Sequence, residues 1–338
     1  MNEPSLIKNA VTETFGIRVP IIAGGLQWLA EANYVSAAGK AGIIGFITAA
    51  SFAEIDDLRA EIRKCRELCQ GAPFGVNVSM LPKLVVGEKT EQVFQLIADE
   101  GVRFVETSGR NPEPYLPILK DAGITVLHKV PSVRYAVKAQ QIGVDMVSIV
   151  GAECGGHPGL DMIGTFVQGA LAAEQLEIPY LIGGGVGTGS QLIAALALGA
   201  SGVVIGTRFL VAQELWAHED YKRAMIAASE RDTALIMHSV RNTVRALRNK
   251  TTEAVASIEA EHPDVTIEDL LPLVSGRIGR KAYETGDWSE GVLSMGQSVV
   301  FAREVQPFAD IIVQLENEAK AALEKVDRAR SVQKQELA

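Results

Sequence analysis

Cysteine is scarce in this chain: 3 occur in 338 residues, Cys65 and Cys69 one helical turn apart and Cys154 far from both. An odd count with that spacing makes neither a disulfide framework nor a zinc site, and a reducing cytoplasm is the expected setting. Basic residues are also few. Against 41 Asp and Glu there are 32 Lys and Arg, spread along the chain for a net charge of −9, so no basic stripe is available to track a phosphate backbone and nucleic acid is not an expected partner. Long apolar runs are missing too. Ile178 to Thr207 carries no charged residue, but its middle reads GGGVGTGSQ from Gly183 to Gln191, which breaks it into pieces too short for a membrane span. The opening MNEPSLIKNAVTETFG has no apolar run after its first charges, so no secretory leader is expected there. No histidine pair is spaced with a carboxylate for a metal, and no Ser, His and Asp set stands out, which disfavours a metal hydrolase.

What is present is the balance of a packed globular protein, 47% hydrophobic and 22% charged. Short β-branched runs recur at an even pace: VPIIAG ending at Gly24, then residues 42–48, 73–79, 102–108, 124–130, 145–151, 178–184 and 201–207. Between them lie stretches of helical spacing, among them 32–41, 52–70, 90–100, 132–141, 165–175 and 189–198. Strands that are apolar without alternation are buried on both faces, and eight parallel strand–helix units close into a TIM (β/α)8 barrel. The barrel is expected over 1–208. Beyond it, 209–302 reads as a smaller, mostly helical region capping one end, with helices over Tyr221–Arg231 and Thr233–Lys250. A charged amphipathic helix within 303–338 closes the fold.

In such a barrel the chemistry sits just past the C-terminal ends of the strands. The last two strands are followed by IGGGVGTG, containing Gly183, Gly184 and Gly185, and by IGTRF, containing Gly206 and Thr207; glycine loops there let backbone amides approach a phosphate. The first strand ends in Gly24-Gly25-Leu26-Gln27-Trp28, where backbone can lie against a flat ligand beside an indole wall. Asn77, Glu106-Thr107-Ser108 and His128-Lys129 end the third, fourth and fifth strands. They can address the polar edge of a heterocycle, although His128 reads equally well as a core imidazole. After the sixth strand comes GAECGGHPG, where glycines bracket His157, the candidate for moving or stabilising a proton.

The segments TETFGIRVPIIAGGLQW, CRELCQGAPFGVNVSMLP, VRFVETSGRNP, VLHKVPSVRYAVKAQQIGVDMVSI, ECGGHPG, ALALGASGVVIGTRFL, IMHSVRNTVRALRN and LVSGRIGRKAYETGD occur in this order. In them the sequence resembles the FMN-dependent barrel family of nitronate monooxygenases, or 2-nitropropane dioxygenases, and within it the bacterial NADH:quinone reductases. The resemblance implies FMN as bound cofactor and NADH or NADPH as co-substrate. Gly25, Leu26 and Gln27 would line the flavin, Asn77 and Lys129 would hold its pyrimidine side, and Gly155 would lie near the ring. Gly183, Gly184, Gly185, Gly206 and Thr207 would grip the phosphate, and His157 matches the family's active-site histidine. Leu26 stands where related proteins carry methionine, which keeps the backbone contact and changes the pocket wall. A quinone is the implied acceptor. An alkyl nitronate, a flavin enoyl reductase reaction, or flavin binding without turnover are the alternatives.

Overall fold

The computed structural model describes residues 7–80 and 88–336, with side chains to 329. The first six residues, which belong to the opening read above for a secretory leader, the Leu81-Pro82 end of one quoted segment and the last two residues lie outside the described part. Strands β1 (Ile21–Ala23), β2 (Ile44–Thr48), β3 (Phe74–Met80), β4 (Phe104–Gly109), β5 (Thr125–Val130), β6 (Met146–Val150), β7 (Tyr180–Gly183) and β8 (Gly202–Ile205) form one closed parallel barrel in chain order. The circle closes where β8 returns to β1 with Ile22 opposite Val204.

Helix α1 (Ala10–Phe15) precedes the barrel, and α2 (Ala32–Lys40), α3 (Ile55–Cys69), α4 (Thr90–Asp99), α5 (Leu116–Asp121), α6 (Val133–Gln141), α7 (Thr165–Gln175) and α8 (Gly189–Ala197) follow β1 to β7 in turn. Past β8 the chain leaves the barrel for α9 (Glu219–Ala227), the antiparallel hairpin β9 (Thr233–Ile236) and β10 (Val244–Leu247), α10 (Lys250–Glu261), α11 (Ile267–Val274) and α12 (Gly276–Thr285). It then returns as α13 (Phe308–Glu336), which packs between α8 and α2. The outer ring's eighth helix is thus supplied from the far end of the chain, with the added region inserted between β8 and its helix.

The hairpin corrects the helix expected over Thr233–Lys250. Helical spacing was legible there because Arg245 and Arg248 fall one face apart from the apolar residues, as on a solvated helix. In the fold Arg245 turns inward and is 8% exposed, while Arg248 stays exposed and donates across the hairpin to Thr233 O at 3.1 Å. The first cap helix also begins and ends earlier than Tyr221–Arg231, with the His218 side chain capping its start by accepting from Asp220 N.

Parity along the strands places the site. Ile22, Ile44, Phe46, Phe104, Leu127, Met146, Leu181 and Val204 point inward and pack with Val11, Phe15 and Ile17 into an apolar plug at the N-terminal end of the barrel. Phe15 meets Phe104 edge-on with ring centroids 5.0 Å apart. Each large side chain so buried contributes about 1.5–3 kcal/mol. Because side chains alternate between faces, the next inward positions are fixed as well. They are Thr48, Asn77, Glu106, Lys129 and Ser148, and at Gly24, Gly183 and Gly206 they are bare backbone. An apolar floor therefore carries a polar and glycine-lined layer at the C-terminal mouth.

Candidate active site

On the β3–β5 side of the mouth, Asn77 pairs in register with Glu106, and on the next rung Ser108 pairs with Lys129 and Lys129 with Ser148. Glu106 is fully buried. Its Oε2 accepts from Asn77 Nδ2 at 2.5 Å and from Lys129 Nζ at 3.0 Å. Its Oε1 and the buried Ser148 Oγ have no hydrogen-bond partner in the protein. Buried polar atoms are nearly always satisfied, so two orphans in one layer at a barrel mouth fit a ligand with polar edges.

The opposite side is built from glycine. Gly184 and Gly185 have φ of +92° and +74°, a left-handed backbone that favours glycine. A Cβ on Gly184 would stand 2.8 Å from Gly151 O. Thr165 Oγ1 lies 2.8 Å from Gly184 O and 2.9 Å from Glu153 Oε2, tying the loops after β6 and β7 together. Thr207 Oγ1 accepts from Gly296 N at 2.9 Å, which leaves its O–H free to donate. The segment between β1 and α2 spans the two sides: a Cβ on Gly25 would touch Asn77 at 3.0 Å, while Leu26 Cδ2 would lie 3.5 Å from a Cβ on Gly206. Gln27 is exposed, and its Nε2 would be 3.5 Å from a Cβ on Gly276, at the start of α12. The Trp28 indole also packs under α12, with the Arg280 guanidinium 5.3 Å from its ring centroid.

His157 sits on the loop after β6, and the hairpin holds that loop. Gly156 and Arg245 exchange backbone hydrogen bonds of 2.9 and 2.7 Å, and the Arg245 guanidinium donates to Ala152 O at 2.9 and 3.1 Å and to Thr233 Oγ1 at 2.9 Å. Behind Gly155 lies the chain from Met295 to Gly296, so close that a Cβ there would be 2.7 Å from Gly296 N. The His157 ring is open to solvent, but the protein around it holds its pKa below the ordinary value. Loss of hydration dominates; the hydrogen bond to Asn242 opposes it, and the Lys129 charge adds to it. At neutral pH the ring is uncharged. Cys154, three residues away, has its thiol pushed up to about 12 by burial, which favours the protonated thiol over a thiolate nucleophile on this loop.

His128 has a different place. It points out of the barrel, buried under the helices, with Nδ1 2.8 Å from Thr107 Oγ1. It is the core imidazole, and Thr107 leaves the candidate site with it. Among the described residues no group of three or more His, Cys, Asp or Glu could hold a metal ion, and no helix is long and apolar enough to cross a membrane.

The family model of nitronate monooxygenase matches residues 8–318. The chain belongs to the nitronate monooxygenase family. Within reach of it is a probable nitronate monooxygenase of Staphylococcus saprophyticus, 27% identical, with 95% of this chain and 99% of that one aligned. A (3aS,4S,5R,7aS)-5-hydroxy-7a-methyl-1-oxo-octahydro-1H-indene-4-carboxyl-CoA dehydrogenase of Mycobacterium tuberculosis is 31% identical over 74% of this chain and 69% of its own. Among solved structures, FabK from Thermotoga maritima superposes with a TM-score of 0.86 at 30% identity, covering 96% of this chain and 99% of that one. Family membership makes this chain an oxidoreductase on the barrel described. The sequence offered Glu106 only as part of the run Glu106-Thr107-Ser108, and it did not point to Ser148, Arg245 or Asn242. Glu106 and Ser148 were within reach of strand parity counted from the apolar plug; the other two needed the hairpin to be seen.

Proposed function

We propose that the protein is an FMN-dependent NAD(P)H:quinone reductase. The observation that carries the flavin is the polar layer over the apolar plug, with orphaned Glu106 Oε1 and Ser148 Oγ on one side of the mouth and the glycine loops of β7 and β8 on the other. FMN has matching parts: a ring edge rich in donors and acceptors, and one phosphate. Asn77 and Lys129 would hold the pyrimidine side, Gly25, Leu26 and Gln27 would line the ring with Gly155 near it, and Gly183, Gly184, Gly185, Gly206 and Thr207 would take the phosphate. When bound, the flavin supplies the hydride and electron transfer, and the protein supplies placement and electrostatics.

The protein's own part follows from the groups at the mouth. Lys129 offers positive charge to the pyrimidine edge, where charge builds on reduction. His157, uncharged at neutral pH, donates or accepts a hydrogen bond at an acceptor's oxygen and can carry a proton to it. What favours a quinone is this neutrality: the Lys129 charge is matched by Glu106 at 3.0 Å and His157 carries none, so these groups suit an uncharged carbonyl better than an anionic nitronate. Nitronate oxidation is the second reading, favoured by the family's own name. NADH and NADPH both fit this proposal as donors.

The deciding experiment is anaerobic mixing of the purified yellow protein with NADH, NADPH and propyl nitronate in turn, followed at the flavin absorbance. Rapid bleaching by a nicotinamide nucleotide with reoxidation by a quinone is expected. Bleaching by the nitronate alone would replace the quinone reading, and a colourless protein that cannot be reconstituted with FMN would remove the flavin reading.

A further inference from the structure

The polar layer that faces the proposed flavin holds an ion pair, and the pair is most deeply buried at its acid. Glu106 is 0% exposed at its side chain and Lys129 is 23% exposed. One carboxylate oxygen receives both Lys129 Nζ and Asn77 Nδ2, at 3.0 and 2.5 Å. Replacing a buried ion pair by apolar groups is often neutral or stabilising, so stability alone does not account for an acid at an inward position of β4 just beneath the mouth.

We propose that Glu106 is a positioning residue that sets how strongly Lys129 and Asn77 act on the flavin. This rests on the FMN reading above and deepens it. An ionised carboxylate can only accept, so Asn77 must turn its amide NH2 toward Glu106; its Oδ1 is left to face away, where Ser79 Oγ donates at 3.2 Å. Lys129 is held by the same oxygen, at a fixed place one rung higher. The carboxylate also offsets the ammonium. A bound flavin that took up two electrons and one proton would carry one added negative charge at its N1–C2 edge, and Lys129, Asn77 and Glu106 would set the net field there. With Glu106 beside it, Lys129 presents a dipole where alone it would present a full charge, and the reduced flavin is held less tightly than a lone lysine would hold it.

The test is Glu106→Gln, which keeps the shape and one oxygen for Lys129 and Asn77 and removes the anion. FMN should remain bound, and the reduced form should gain on the oxidised form by about tenfold or more, read as a rise of about 30 mV per tenfold in the two-electron midpoint potential. Lys129→Met should move the potential the other way. An E106Q protein that holds FMN with an unchanged or lowered potential overturns the proposal. Should E106Q not fold, Glu106→Asp withdraws the carboxylate from both partners and must also raise the potential; no rise overturns it equally. Wild-type protein that binds no FMN is a separate result and defeats the flavin reading instead.

Discussion

His128 on β5 and His157 after the neighbouring β6 both have pKa values held below the ordinary imidazole value, with different consequences. Burial brings His128 down to about 4 from 6.5. Its proton is therefore taken up more readily by the unfolded chain between those values. The stability due to the neutral ring is complete above pH 6.5 and is lost as pH falls toward 4, at most about 3 kcal/mol. Urea midpoints at pH 7 and pH 5 should differ for the wild type, and His128→Gln should flatten that difference. For His157 the expected readout is catalytic. His157→Ala should retain FMN, because the loops proposed for its phosphate are elsewhere, and should lower turnover by about 10²- to 10⁴-fold if the ring carries a proton. In the wild type, activity that needs the neutral ring should persist to lower pH than an ordinary imidazole would allow and be lost on the acid side. Full activity of H157A toward every donor and acceptor would return the residue to a structural role.

The hairpin β9–β10 is the element through which the added region reaches the chemistry, since its Arg245 holds Ala152 O and its turn carries Asn242 to His157. Arg245→Met should therefore cost about 2–4 kcal/mol of stability from lost hydrogen bonds to a charged group. It should also raise the KM for the proposed quinone acceptor more than it weakens FMN, and equal losses in both would refute a role confined to the loop. This is also where the sequence was least legible. The eight barrel strands could be read from buried β-branched runs, because a parallel sheet needs apolar residues on both faces, and the mouth followed from where those runs stop. The hairpin carries no such run: of Thr233–Ile236, Leu235 is exposed and Ala234 half-buried, and its arginines are satisfied by carbonyls that only the fold brings near. His128 and Lys129 were adjacent candidates that alternation alone separates, one outward and one inward. Glu106 stayed in the background because its importance lies in two partners from other strands.

At the scale of the whole molecule, the outer helical ring is completed by α13, whose Phe308, Ile311, Ile312, Leu315 and Ala319 are buried. Phe308 stacks on Phe209 with centroids 4.5 Å apart, and Glu318 Oε2 accepts from Gly189 N at 2.8 Å, pinning the start of α8. Arg18 and Glu316 add an ion pair at the other end of the barrel. At Gly189 the two helices are so close that a Cβ would fall 1.8 Å from Leu315 O; Gly189→Ala should destabilise by about 2 kcal/mol or more, as overpacking against backbone does, measured by the thermal midpoint. During synthesis the seven earlier helices and the entire added region leave the ribosome before this last one. The groove between α2 and α8 stays open to water until then, a long-range closure of the kind that folds slowly and exposes apolar surface meanwhile. A chain cut short before Phe308 should thus be recovered in inclusion bodies or bound to chaperones, and without FMN, however complete its mouth residues are.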